Sequence, residues 1–487
     1  MGSIFDFFIS GQGIGILYLL NVALAIAIIF AERKTPSATL AWVMFLAFIP
    51  ILGFFFYFIL NQNISRSKIN RLTENEEYFI SGALKSQMKE MENDTFVFHS
   101  DVAPKWKSLI KLNQVYANAY YTEKNNVELL TDGNELRKRL YQDIRQAKET
   151  INVEFFIIKR DYVGLDFIDL LTKKAREGIT VRLLIDSLGS RFINDRVLKD
   201  YIQAGGKVGY FFKPKLKIFG VKINYRNHRK IVVIDDKIAY TGGYNIAKEY
   251  IGKKKKFGYW RDSHLRITGE GVIDLNARFT LDWRFTTKEK LDVLKVAHVS
   301  DDIDHPVGMQ IVSCGPESHK EEVKRAYMKM ITSARKNVFI QTPYFVPDQS
   351  IIESLKMATQ SGVDVRVMIP CKPDHVLVYW ATYSYVGDLI KSGVRVFIYD
   401  NGFLHAKTMV CDGEVGTVGS TNFDNRSFRL NFESNAVIYD KDFAEKMEDV
   451  FGRDMEKCHE LTLDAYNKRS LIIRIKEPIS RLFSDVM

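Results

Sequence analysis

Two stretches of the chain repeat one spacing of reactive residues. His228-Arg229-Lys230 leads into Ile231–Ile234 and Asp235, and Gly242-Gly243-Tyr244-Asn245 follows. His405-Ala406-Lys407 leads into Thr408–Cys411 and Asp412, and Gly419-Ser420-Thr421-Asn422 follows. Both read H-x-K-x4-D-x6-G-[G/S]-x-N. Residues i and i+2 of a strand share a face. His228 and Lys230 therefore point the same way, as do His405 and Lys407. The apolar run after each Lys reads as a strand buried on both faces, with Asp235 or Asp412 opening the turn to a returning strand.

One His-x-Lys is weak evidence, because a His beside a Lys is more often a satisfied surface or core residue. The same five positions recurring in two copies carry much more weight. Brought face to face, the copies would pool two imidazoles, two ammonium groups and two amides. That combination suits a phosphate. Lys230 and Lys407, with Asn245, Ser420 and Asn422, would hold its oxygens and stabilise a developing pentacovalent charge. One His can attack phosphorus, and the other can protonate the leaving alkoxide and then deprotonate the incoming alcohol or water. The lysines supply the positive charge, so the reading calls for no metal and no cofactor. Ser420 offers a hydroxyl where Gly243 offers only a backbone N–H.

These stretches must sit on a duplicated scaffold. "AREGITVRLLID" (175–186) resembles "ATQSGVDVRVMIP" (358–370). "RQAKETINVEFFI" (145–157) parallels "TSARKNVFIQTPYF" (332–345), and "LKDYIQAGGKVGYFF" (198–212) parallels "VGDLIKSGVRVFIYD" (386–400). Similarity over this distance indicates duplicated domains rather than a short-period solenoid. Helical patterns alternating with short Val/Ile-rich strands predict an α/β fold, a sheet covered by helices.

The 487 residues are 46% apolar and carry a formal charge of +10, with a pI near 9.1. A large core is affordable, and anionic partners are favoured: nucleic acid, an anionic membrane surface or a phosphorylated substrate. Cys314, Cys371, Cys411 and Cys458 form no C-x-x-C pair and match no zinc spacing, which reads as scattered reduced thiols.

The N-terminal part differs from the rest. Ile14–Ala31 and Leu40–Leu60 are uncharged runs of 18 and 21 residues, separated by the polar turn Glu32–Ser37. A helix needs about 20 apolar residues to span a bilayer. The expected organisation is a transmembrane helical hairpin over 1–62 (spans 13–31 and 40–60), a connector over 63–125, and two domains over 126–300 and 301–487. A cleaved signal peptide fits less well, because "MGSIFDFFIS" contains no basic residue. Arg33 and Lys34 in the hairpin turn, against Arg66, Lys68 and Arg71 after it, lean toward a cytoplasmic catalytic part.

The double motif resembles the phospholipase D superfamily over roughly residues 125–480. "ERKTPSATLAWV", "NHRK", "YWRDSHLRITG", "TPYFVPD" and "NFDNRSFRLNFESN" together resemble its bacterial cardiolipin synthases. That resemblance implies duplicated α/β/α sandwich domains around one active site in the bacterial cell membrane. It also implies transfer of a phosphatidyl group between two phosphatidylglycerol molecules, giving cardiolipin and glycerol through a phosphatidyl-histidine. It implies a carboxylate further along each half that orients that half's histidine. The matching positions are Asp262 after His228 and Glu433 after His405. A carboxylate on one ring nitrogen fixes the tautomer and frees the other nitrogen to react. Asp235 and Asp412 belong to the motif but read as strand anchors, and His228 reads as the nucleophile by analogy.

The alternatives are a hydrolytic phospholipase D, a phosphatidylserine synthase, a nuclease of the same superfamily, or an inactive lipid-binding scaffold. A nuclease has no use for a membrane hairpin, so no nucleic-acid partner is expected. A scaffold has no use for two imidazoles. The sequence leaves oligomeric state open. Three basic stretches stay unassigned to chemistry: "FFKPKLKIFGVKINYR" (211–226), read as a membrane-facing rim or an ordinary loop; Lys253–Lys256; and the part-amphipathic tail "KRSLIIRIKEPISRLF" (468–483).

Overall fold

The computed structural model describes residues 36–48, 72–213, 224–293, 305–318, 320–482 and 484, with helical residues between 15 and 26. The chain forms two units: residues 1–64 with 214–224, and residues 65–213 with 225–487. In the first unit, Pro36–Phe48 is an uncharged helix. Among the described residues, no helix is long and apolar enough to cross a membrane. The two expected spans, and the basic stretch 214–223, lie largely outside the described residues.

The second unit holds two copies of one sheet. The first copy provides β1 (Asn125–Leu130), β2 (Thr150–Phe155), β3 (Thr180–Asp186), β4 (Lys207–Phe211), β6 (Ile231–Ile234), β7 (Ile238–Gly242) and β9 (His264–Gly269), with short pieces β5 (Arg226–Asn227) and β8 (Trp260–Arg261) outside that sheet. Its order is β1-β9-β7-β6-β2-β3-β4. The second copy provides β10 (Gly308–Cys314), β11 (Asn337–Gln341), β13 (Asp364–Pro370), β14 (Arg395–Tyr399), β16 (Thr408–Cys411), β17 (Val415–Gly419), β19 (Asn431–Tyr439) and β20 (Cys458–Glu460), with short pieces β12 (Phe345–Val346), β15 (Phe403–Leu404) and β18 (Phe423–Asp424). Its order is β10-β19-β17-β16-β11-β13-β14, with β20 added at the edge. The two orders coincide strand for strand, as expected of a duplication. In each sheet the β2-β3-β4 or β11-β13-β14 block is parallel and the remaining core pairs are antiparallel.

Local chemistry explains the elements. Helices α1 (Gly133–Gln146), α2 (Tyr162–Arg176), α5 (Gln349–Gln360) and α8 (Lys441–Met455) each begin behind an aspartate whose carboxylate accepts first-turn N–H groups: Asp132, Asp161, Asp348 and Asp440. Such caps are worth ~1 kcal/mol each. Gly178, Gly205, Gly362 and Gly393 stand at φ between 87° and 94° in the turns leading to β3, β4, β13 and β14. A side chain resists that conformation, which accounts for the glycine in every repeated helix-Gly-strand unit. Strands β6 and β16 are buried on both faces, each aliphatic side chain contributing ~1.5–3 kcal/mol.

The remaining helices used below are α3 (Gly271–Thr287), α4 (Glu322–Ser333), α6 (Val376–Ile390), α7 (Asn425–Arg429) and α9 (Leu471–Arg481). Segment 63–125 contributes helices Glu74–Glu92 and Lys107–Ala117. Met91, Trp106, Leu109 and Ile110 join the second copy's core alongside Met330 and Ile331 of α4. Strands β7 and β9 meet β17 and β19 between the copies, so the mouths of β6 and β16 come together there.

Candidate active site

Both histidines stand just before their buried strands, and each lysine turns back to its own histidine. Lys230 Nζ donates to the His228 carbonyl at 2.5 Å. Lys407 Nζ donates to the His405 carbonyl and lies 2.9 Å from His405 Nδ1. All four side chains are buried.

The carboxylates are present, but the expected pairing is crossed. His228 Nδ1 lies 2.9 Å from Glu433 Oε2, and His405 Nδ1 lies 2.5 Å from Asp262 Oδ2. Each histidine is thus held by the other copy's carboxylate. Backbone register is the reason. β5 runs parallel to β19 with Asn227 opposite Phe432, and the His228 N–H donates to the Phe432 carbonyl at 2.9 Å. β15 runs parallel to β8 with Leu404 opposite Arg261, and the His405 N–H donates to the Arg261 carbonyl at 2.7 Å. One residue further along each register sets His228 against Glu433 and His405 against Asp262.

Electrostatics join the two copies into one pocket. Burial lowers the His228 pKa; Glu433 opposes this, while Lys230 and Lys407 add to it. Burial and then Lys407 bring His405 down to about 4. Burial brings Lys230 to about 7 and Lys407 to about 8, with Glu433 and Asp262 pulling both upward. Burial pushes Asp262 and Glu433 up, but the nearby Lys and His charges outweigh it and hold both below the usual carboxylate range. The resting rings are therefore neutral at neutral pH. With Nδ1–H directed at the carboxylate, Nε2 carries the free lone pair.

Some predicted residues lie elsewhere or are already engaged. Asp235 accepts N–H bonds from Lys148, Glu149 and Thr150 at 2.7–2.8 Å. Asp412 does the same for Arg335, Lys336 and Asn337 at 2.7–3.1 Å. Both sit at the far ends of β6 and β16 from the histidines, where they anchor the turns before β2 and β11. Asn245 accepts from the Ile157 N–H at 3.1 Å and donates to Tyr250 Oη at 3.1 Å. Asn422 donates to Ser427 Oγ at 3.3 Å. Ser420 Oγ accepts from the Ser434 N–H at 3.1 Å, and the Ser420 carbonyl lies 3.2 Å from His228 Nδ1. The Gly243/Ser420 difference has a steric cause: a Cβ on Gly243 would lie 2.0 Å from Asp262 Oδ1.

Several pocket residues escaped sequence reasoning. Phe156 packs edge-on against His228 at 4.9 Å, and Trp260 and Tyr250 lie 5.0 and 6.2 Å from the His405 ring. Arg229 is fully buried between the copies. It pairs with Asp282 of α3 at 2.7 Å and donates to the Glu433 and Cys314 carbonyls at 3.1 and 3.0 Å. Arg261 pairs with Asp454 of α8 at 2.6 Å. "NHRK" and "WRD" contained these arginines, but nothing in their spacing shows that they reach across to the other copy.

Comparison with known proteins gives consistent matches. The family described as "Cardiolipin synthase, PLD-like domain" matches residues 140–260 and 327–455, and "Phospholipase_D-nuclease N-terminal" matches residues 19–60. The chain is 44% identical to the Major cardiolipin synthase ClsA of Bacillus subtilis (strain 168), covering 98% of this chain and 100% of that one. It is 45% identical to the Cardiolipin synthase of Oceanobacillus iheyensis, covering 97% and 98%. Its fold resembles the crystal structure of phosphatidylserine synthase from Haemophilus influenzae Rd KW20, with a TM-score of 0.59 at 16% identity over 77% of this chain and 96% of that one.

Proposed function

The chain belongs to the cardiolipin synthases of the phospholipase D superfamily, and from that membership we propose how its pocket joins two phosphatidylglycerol molecules into cardiolipin and glycerol. His228 Nε2 attacks the phosphorus of the first phosphatidylglycerol. The P–O bond to the head-group glycerol breaks, and His405 gives that oxygen a proton. The product of this step is free glycerol and a phosphatidyl group on His228. His405 then takes the proton from a hydroxyl of the second phosphatidylglycerol. That oxygen attacks phosphorus, the P–N bond breaks, and cardiolipin forms with His228 restored.

The observation that carries this reading is the pair of crossed histidine–carboxylate contacts beside two buried lysines. In the empty pocket the two lysines face the carboxylates of Asp262 and Glu433. A bound phosphodiester adds one negative charge in a low-dielectric site, which favours a proton on one imidazole. Binding the substrate thereby charges the general acid. Lys230 and Lys407 face the non-bridging oxygens, and Asn245, Ser420 and Asn422 act around them. Lys407 lies directly against the His405 ring and opposes its protonation, which favours the reverse assignment of the two histidines; trapping the intermediate separates the two.

We further propose that residues 13–31 and 40–60 form the membrane hairpin and that the catalytic part faces the cytoplasm. The uncharged lengths of those runs and the match of residues 19–60 to the family's N-terminal segment support this. The functional test supplies phosphatidylglycerol alone and resolves the lipid products. Cardiolipin and glycerol in equal amounts, absent in His228→Ala and His405→Ala, is the expected result. Phosphatidic acid as the main product would overturn the transferase reading, because water would then win the second step.

A further inference from the structure

We propose that the adjoining ends of α6 and α9 form a docking surface for an anionic lipid bilayer beside the catalytic pocket. The inference rests on reading the chain as an enzyme of membrane phospholipids.

Helix α9 faces the wrong way for a solvent-exposed surface helix. Glu477 and Arg481 turn toward the protein, Glu477 buried and receiving Arg469 at 2.8 Å and Arg481 pairing with Asp388 of α6 at 2.7 Å, while Arg474 and Lys476 stay exposed. Its aliphatic residues turn outward. Leu471 and Ile472 are 71% and 65% exposed, and Ile475 and Ile479 are half exposed. A row of large aliphatic side chains in water marks a surface that something covers.

The position of that row is set by α6. Lys476 lies over the Trp380 ring at 5.2 Å, and Arg481 lies over the Tyr385 ring at 4.4 Å. The two helices therefore run parallel and nearly in step, which puts Leu471 and Ile472 level with the start of α6. Val376 and Leu377 there are 61% and 52% exposed. Asp374, two residues earlier, bonds to Tyr344 Oη, and Tyr344 leads into β12, whose Phe345 pairs with Phe423 of β18 directly after Asn422. The apolar end is thus next to the pocket. The duplication places a counterpart on the other rim. The loop after β3, equivalent to the one after β13, exposes Leu188 and Phe192. Asp186 at its base accepts the Asn227 N–H at 3.1 Å, immediately before His228.

Charge selects the occupant. Residues 468–482 contain five Lys or Arg and one Glu. An apolar row flanked by cations fits an anionic bilayer. A second copy of the chain would bring the same positive charge against it.

The test uses the full chain reconstituted in vesicles. A polarity-sensitive fluorophore is placed on Ile472→Cys or Ile475→Cys, with Cys371→Ser and Cys458→Ser as background, and a control reporter on Lys441→Cys. In vesicles of brominated phosphatidylcholine containing phosphatidylglycerol, emission at 472 and 475 should shift to the blue and fall about two-fold or more by bromine quenching, with little change at 441. Without anionic lipid the quenching should weaken. Water-like emission in both vesicles would overturn the proposal. So would a blue-shifted reporter that bromine does not quench, because a second chain would then cover the face. Cardiolipin is assayed in the same vesicles. Synthesis with a water-like reporter refutes the docking surface alone; a quenched reporter without synthesis refutes the functional reading.

Discussion

Glu433 Oε2 lies 2.9 Å from Nδ1 of His228, a residue 205 positions away in the other copy of the fold. Asp262 holds His405 in the same way. Neither copy contains a complete histidine–carboxylate pair of its own, so the duplicated domains depend on each other for chemistry. Asp262→Asn should therefore disturb His405 and Glu433→Gln should disturb His228. We expect each to lower turnover about 10²- to 10⁴-fold with the fold intact, as for loss of a tautomer-fixing carboxylate. Quenched-flow labelling follows each step: Glu433→Gln should slow formation of the phosphatidyl-enzyme, and Asp262→Asn should slow both its formation and its transfer to the second lipid.

The lysines give the pocket a pH dependence. Lys230 and Lys407 are brought from 10.5 to about 7 and about 8, and kcat/KM reports groups of the free enzyme. As pH rises from about 7 to 9, loss of the ammonium charge should reduce kcat/KM by up to about tenfold per pH unit for each lysine. In Lys230→Arg, where the charge persists, the alkaline decline should begin at higher pH.

The same shifts make a stability prediction of defined sign. Between about pH 7 and 10 the unfolded chain keeps its lysines protonated while the folded pocket does not. The unfolded state then binds more protons, so stability rises with pH over that window. Combined Lys230→Met and Lys407→Met should flatten the rise of the melting temperature toward pH 10 and abolish activity. Calorimetry across that range checks this.

Gly243 and Ser420 occupy equivalent positions but differ in tolerance. Gly243→Ser would drive a Cβ into the Asp262 carboxylate and displace it from His405, with an expected loss of turnover of about 100-fold or more. Ser420→Gly removes a hydroxyl bonded to the Ser434 backbone and should stay within about tenfold of the parent. Steady-state rates on phosphatidylglycerol make the comparison.

Asp412 should behave as an anchor. Asp412→Asn weakens a carboxylate that accepts three consecutive N–H groups. Denaturant unfolding should show a loss of about 1–3 kcal/mol, while turnover per folded molecule should change less than about tenfold.

Much of this organisation is legible in the sequence. The helix-Gly-strand repeats give two α/β copies, because a positive φ after each helix admits little besides glycine. The His-x-Lys spacing puts both groups on one side of a strand mouth, because strand geometry is local. The crossed pairing is not legible, because it depends on β5 lying beside β19 and β15 beside β8, contacts made over about 140–200 residues. The engagement of Asn245 by the Ile157 N–H is hidden as well, because it joins segments 88 residues apart within one copy. Arg229 lies inside "NHRK", yet its partners Asp282 and the Cys314 carbonyl come from distant segments. Local periodicity carries backbone geometry and burial; partners across an interface are set by how the two copies dock.

The most direct test of the central claim is to trap the intermediate. His405→Ala is mixed with phosphatidylglycerol labelled in its phosphate, quenched, digested and sequenced. Label is expected only on the peptide containing His228, formed more slowly than in the parent because the leaving oxygen has lost its acid, and none in the Glu433→Gln, His405→Ala double variant within the same time. No covalent label in His405→Ala, together with label on the His405 peptide in His228→Ala, would contradict it.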